Sequence, residues 1–164
     1  MQDEAIQVSC STILSGADDP VEVFNSLQKL FPEVIADELE DRPCSFPMPK
    51  EKVQWNFVNL SLDAILERMA EERILDTALD AMSQSLHQDS TIFKLSRQAA
   101  MANKISFCLN DEEPLGGSFS IKLSGKNLGK WLEDATWHQG RQMVPRNIGD
   151  EHRMSRDGTS RSIF

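Results

Sequence analysis

The sequence predicts an α+β domain in two layers, a mainly antiparallel sheet with helices packed on one face. Three observations predict it. Several short stretches alternate apolar and polar residues, the period of a half-buried strand. Between them, apolar residues recur every three or four positions, the period of an amphipathic helix. The order is strand, helix, extended segment, strand, long helix, three strands, helix, so strands cluster instead of alternating regularly with helices.

Ile6, Val8, Cys10, Thr12 and Leu14 share one face of IQVSCSTIL, which predicts a strand over 6–14. Asp19 then suits a helix N-cap, Pro20 the first helical position, and Glu22 the positive end of the helix. Phe24, Leu27 and Phe31 recur at helical spacing, and Pro32 closes that helix. Val34 and Ile35 are expected to start a strand, and the prolines at 43, 47 and 49 mark a connection. In VQWNFVNL, Val53, Trp55 and Phe57 alternate with Gln54 and Asn56, giving another strand.

The longest helical region runs from Ser61 and Asp63 to about Leu86. Leu62, Ile65, Leu66 and Met69 form one stripe; Leu75, Ala78, Leu79, Met82 and Leu86 form another, out of phase with the first across 70–73. A bend or two abutting helices is expected there. Strands are predicted at 91–95, 105–110 and 118–123. The last two flank DEEPLGG, which reads as a hairpin loop with Gly116 or Gly117 at positive φ. A final helix covers 128–137. From Gln139 the chain loses any period, so the sequence divides into one domain over 1–138 and a flexible polar tail over 139–164.

The chain has 164 residues and a formal net charge of −9. Five Arg against three acids give the tail a net of +2, which leaves −11 on residues 1–138. Such a chain does not draw nucleic acid or anionic membrane through its overall field, and any such binding needs a local basic patch. The three cysteines (Cys10, Cys44 and Cys108) form no C-x-x-C pair and no closed disulfide framework, which points to a reduced, cytoplasmic compartment. The first residues carry acids where a secretory signal carries positive charge, and no apolar run reaches the length of a membrane-spanning helix.

Half of the cations in 1–138 fall after residue 93. Lys94 and Lys122 lie on strand faces opposite Phe93 and Ile121; with Arg97 and Lys104 they are the candidate RNA-contacting residues, lining one polar surface if their strands are neighbours. The competing reading is a solvated sheet face with ordinary surface lysines, since Phe93, Phe107 and Phe119 look inward and leave no stacking aromatics among the cations. SGKN at 124–127 lacks the preceding glycine and following hydroxyl of a phosphate loop. Glu72, Asp76 and Asp80 step by four along the long helix and read as a solvated acidic face, with Arg68 pairing Glu72 and Arg73 pairing Asp76. His87, His138 and His152 lie outside any metal spacing, and no nucleophile with a neighbouring base stands out. The expectation is a non-enzymatic protein with no cofactor, no metal and no catalytic residue.

ERILDTALDAM (72–82), LSRQAAMANKISFC (95–108) and DEEPLGGSFSIKL (111–123) resemble an uncharacterised archaeal protein family, the one numbered 0201. The order of motifs is similar too, from Phe-Pro-Glu at 31–33 through Arg-Gln-Ala-Ala to Glu-x-Pro-Leu-Gly, and the resemblance covers about residues 5–137. It implies a fold like that of the large-subunit ribosomal protein that holds 5S RNA. Placement of the cations and this fold analogy together lead to an expected accessory module that contacts structured RNA or a ribonucleoprotein. The alternative is a protein-interaction or self-association module using a sheet edge or the acidic helix face.

Overall fold

The computed structural model describes residues 6–16, 18–35, 52–108 and 114–149. β1 (Gln7–Leu14) is followed by α1 (Pro20–Leu30), β2 (Val53–Phe57), α2 (Asp63–Glu71) and α3 (Leu75–Ser83). Then come β3 (Ser90–Ser96), a five-residue α4 (Arg97–Met101), β4 (Phe107–Cys108), β5 (Ser118–Ser124) and α5 (Leu128–Ala135). A 3-10 turn at Gln139–Gln142 follows. The five strands form one open sheet in the order β2-β1-β5-β3-β4, and every pairing is antiparallel.

Alternation decides which face is covered. Val8, Cys10, Thr12 and Leu14 point inward from β1, Trp55 and Phe57 from β2, Phe93 and Leu95 from β3, and Phe119, Ile121 and Leu123 from β5. The helices answer from the same side with Leu27, Leu30, Ile65, Met69, Leu79, Met82, Leu128 and Leu132, all in one apolar cluster. Each such side chain removed from water contributes roughly 1.5–3 kcal/mol, so this single layer contact dominates the stability. The expected two-layer α+β arrangement is therefore the observed one.

Local signals behave as their chemistry dictates. Asp19 caps α1 by accepting from the amide of Val21 at 3.0 Å, and Pro20 opens the helix. The two out-of-phase stripes resolve into α2 and α3, separated at Glu72–Ile74, where Arg73 turns the chain with φ +58°.

Four expectations need correction. Val34 and Ile35 start no strand: the Val34 amide turns back onto the Phe31 carbonyl, and Val34 is buried as a loop residue. The proline-rich 43–49 stretch lies outside the described residues. The strand predicted at 105–110 pairs only at 107–108, and residues 109–113 also lie outside the described ones. Moreover β4 and β5 do not form a hairpin. The short α4, capped by Ser96, reverses the chain so that β4 returns along the outer edge of β3, while β5 pairs along the other edge from Ser90↔Ser124 to Ser96↔Ser118. β4 and β5 are thus mutually parallel with β3 between them, so they share no antiparallel ladder for a hairpin turn to close. Finally, packing does not stop at residue 138. Arg141 is buried and Ile148 packs against the core, so residues 139–149 belong with the domain.

Candidate functional site

The four cations expected to share one surface occupy three different environments. Arg97 is buried, 5% exposed, at the start of α4. Its Nε donates to the Gly116 carbonyl at 2.6 Å, its Nη1 to Thr12 Oγ1 at 2.9 Å and to the Ile13 carbonyl at 3.1 Å, and its Nη2 to Asp18 Oδ1 at 3.0 Å. Thr12 in turn donates to the Ser118 carbonyl, and Asp18 accepts from the amide of Ser15. One guanidinium thus ties the end of β1, the turn before α1 and the entry to β5. Its geometry requires glycine. Residues Pro114–Gly117 make a turn closed by the Gly117 amide on the Pro114 carbonyl, with φ +83° at Gly116 and +82° at Gly117. A Cβ on Gly117 would stand 2.5 Å from the guanidinium carbon of Arg97. Arg97 is therefore removed from the proposed contact surface: its donors face the protein.

Lys104 lies on the helix side. With Lys29 and Arg68 it borders a small cleft between α1, α2 and the end of α4. Lys29 there donates to the Met101 carbonyl at 2.6 Å and Arg68 pairs with Glu71 at 3.1 Å.

Lys94 and Lys122 do come together, on the sheet face opposite the helices. Asn56, Ser11, Ser120, Lys94 and Cys108 form one row across all five strands. In the adjacent row Ser9 stands opposite Lys122 and Lys122 opposite Ile92; in the next, Gln7 faces Ser124 and Ser124 faces Ser90. Lys94 and Lys122 are diagonal neighbours, a relation that sets residues about 7–8 Å apart. Ile13 and Ile92 are 55% and 48% exposed on this face. Seven outward positions are serine (Ser9, Ser11, Ser90, Ser96, Ser118, Ser120 and Ser124), and no outward strand position holds Asp or Glu. The chain's 26 acids thus fall elsewhere than on these outward strand positions, where Lys94 and Lys122 are the charged residues.

The outward serines are absent from the sequence expectation, because cations and aromatics are the stronger signals of a nucleic-acid surface. Their signal was present: QVSCSTIL, STIFKLS and SFSIKLS each place serine at alternate, outward positions.

The acidic stripe also differs from expectation. Glu72 accepts from the amide of Ile105 at 3.0 Å, Asp76 from Arg141 Nε at 2.8 Å, and Asp80 from Arg146. Arg141 donates further to the Glu133 carbonyl and to Thr136 Oγ1. His138 Nε2 lies 2.9 Å from the same Asp76 oxygen. Burial raises the Asp76 pKa, but the hydrogen bonds and charges of Arg141 and His138 outweigh it and hold the carboxyl below its ordinary value. Neither Arg68–Glu72 nor Arg73–Asp76 is the pairing that forms: Arg68 pairs with Glu71, and Glu72, Asp76 and Asp80 accept from Ile105, Arg141 and Arg146. Among the described residues no three His, Cys, Asp or Glu side chains converge as metal ligands would, and no helix is long and apolar enough to cross a membrane. Cys10 points into the core, where burial pushes its thiol up to about 12 and makes it a packing residue.

The class is thus an α+β domain with an open, antiparallel five-stranded sheet. No protein-family model matches the chain. It is 28% identical over 111 residues to a UPF0201 protein of Methanopyrus kandleri, covering 67% of this chain and 70% of the relative. A UPF0201 protein of Sulfurisphaera tokodaii is 34% identical over 80 residues, 47% of this chain and 55% of the relative. The crystal structure of a UPF0201 protein from Methanococcus jannaschii shares the fold, with a TM-score of 0.63 at 18% identity over 80% of this chain and 99% of that one. In sequence and in fold the chain is similar to the UPF0201 proteins of archaea, and the family resemblance drawn from residues 72–123 is borne out.

Proposed function

We propose that the protein is a non-enzymatic accessory module that contacts structured RNA, alone or within a ribonucleoprotein, through its open sheet face. The observation that carries this reading is that no outward position of the described strands holds Asp or Glu, while two hold Lys94 and Lys122, in a chain of net charge −9. A polyanion approaching any acidic surface is repelled, so it meets such a protein where acids are missing and cations and hydroxyls are present. The expected likeness to the ribosomal protein that holds 5S RNA points the same way as a fold analogy.

Filter binding of bulk transfer RNA over a salt series tests it. Affinity falls as salt rises, and Lys94→Glu/Lys122→Glu lowers the slope of log affinity against log salt by about 2, one for each lost phosphate contact. Lys104→Glu, on the helix side, leaves the slope unchanged. Unchanged binding in the sheet-face variant would refute the assignment.

A further inference from the structure

The geometry points to a paired RNA helix, read through its sugar–phosphate surface, as the ligand of the open face; this rests on the RNA reading above and specifies its substrate class. Single-stranded RNA is held by stacking bases on aromatic rings. The chain has no Tyr, and its strand Phe and Trp residues (Trp55, Phe57, Phe93, Phe107, Phe119) stand at inward positions of the alternation. The outward rows offer nothing for a base to stack on. They offer hydroxyls, each a donor and an acceptor at once. A ribose 2′-OH needs a partner of that kind, and an A-form helix displays its 2′-hydroxyls along a wide, shallow minor groove.

The dimensions agree. Five strands at about 4.8 Å spacing give a row roughly 19 Å wide, and a seven-residue strand is about 24 Å long. Such a broad surface meets a shallow groove. Lys94 and Lys122, on adjacent rows, add charge for flanking phosphates, and Ser11 and Ser120, opposite each other in the middle row, are the hydroxyls most central to it. Charge complementarity thus selects a polyanion, the missing aromatics select paired over unpaired strands, and the hydroxyls select RNA over DNA.

The test compares three probes of one sequence at one salt concentration with the full-length protein: an RNA duplex of about 16–20 base pairs, its separate unstructured strand, and the matching DNA duplex. The duplex RNA is expected to bind at least tenfold tighter than either other probe. Ser11→Ala/Ser120→Ala, with folding verified by circular dichroism, is expected to narrow the gap between RNA and DNA duplexes while leaving DNA binding unchanged. Equal or tighter binding of the single strand would overturn the duplex assignment and leave the RNA reading standing. Equal binding of the DNA duplex, or an unchanged gap in the serine variant, would overturn the role of the hydroxyls. Binding of none of the probes, with transfer RNA also unbound, would overturn the RNA reading itself.

Discussion

Arg97 draws together acceptors from three distant parts of the chain, and its guanidinium lies against the backbone of Gly117. Removing it leaves Asp18, whose side chain is 19% exposed, without its counter-charge, and takes a donor from the carbonyls of Gly116 and Ile13. Breaking such a part-buried pair costs about 3 kcal/mol. Gly117→Ala acts on the same lock from the other side: the left-handed backbone alone costs roughly 1–2 kcal/mol, and the methyl also displaces Arg97. The two changes are therefore coupled. In an Arg97→Ala background Gly117→Ala is expected to cost only its backbone strain, so the pair is less damaging than the sum by 1 kcal/mol or more, about the size seen for contacting residues. Urea unfolding of the four variants measures this, and strict additivity would show that the contact is not energetic. The sequence made Gly116 and Gly117 legible as positive-φ positions, because glycine is the residue that reaches them without strain. It hid why Arg97 is there, since its partners Thr12, Ile13 and Asp18 lie 79–85 positions away.

At the scale of elements, α3 carries a strap. The segment after α5 crosses it through Arg141 on Asp76 and Arg146 on Asp80, and Ile148 seats on the core. The folded Asp76 carboxyl has a lowered pKa, so its share of stability is present above the ordinary value of 3.8 and is lost as pH falls through the depressed folded value. Asp76→Asn is accordingly expected to destabilise the protein near neutral pH, with a penalty that fades below 3.8. Thermal unfolding over about pH 5 to pH 1 tests the sign, and a penalty constant over that range would mean that the charge of Asp76 is irrelevant. The break between α2 and α3 was legible, because two apolar stripes out of phase cannot share one straight helix. The strap was not, because it is irregular chain anchored by polar side chains and carries no period. The false hairpin has a similar origin. DEEPLGG has turn chemistry, but a five-residue helix between β3 and β4 sends β4 to the far edge of β3, and local sequence does not encode which edge is taken.

For the molecule as a whole, the sheet divides the surface by chemistry. Its inner face and the helices build the core, and the outward positions of its strands carry seven serines, Lys94, Lys122 and the exposed Ile13 and Ile92, with no Asp or Glu among them. Alternation made both faces legible; which outward residues become neighbours depended on the strand order, and that order separated Lys104 and Arg97 from Lys94 and Lys122. The central claim is that RNA meets this outward face. The most direct measurement is amide chemical-shift mapping of the 18.5 kDa protein titrated with structured RNA. Shifts are predicted at Ser9, Ser11, Ser120 and Lys122, with the amides of α2 and α3 unmoved. Shifts confined to the helices, or none at saturating RNA, would contradict it.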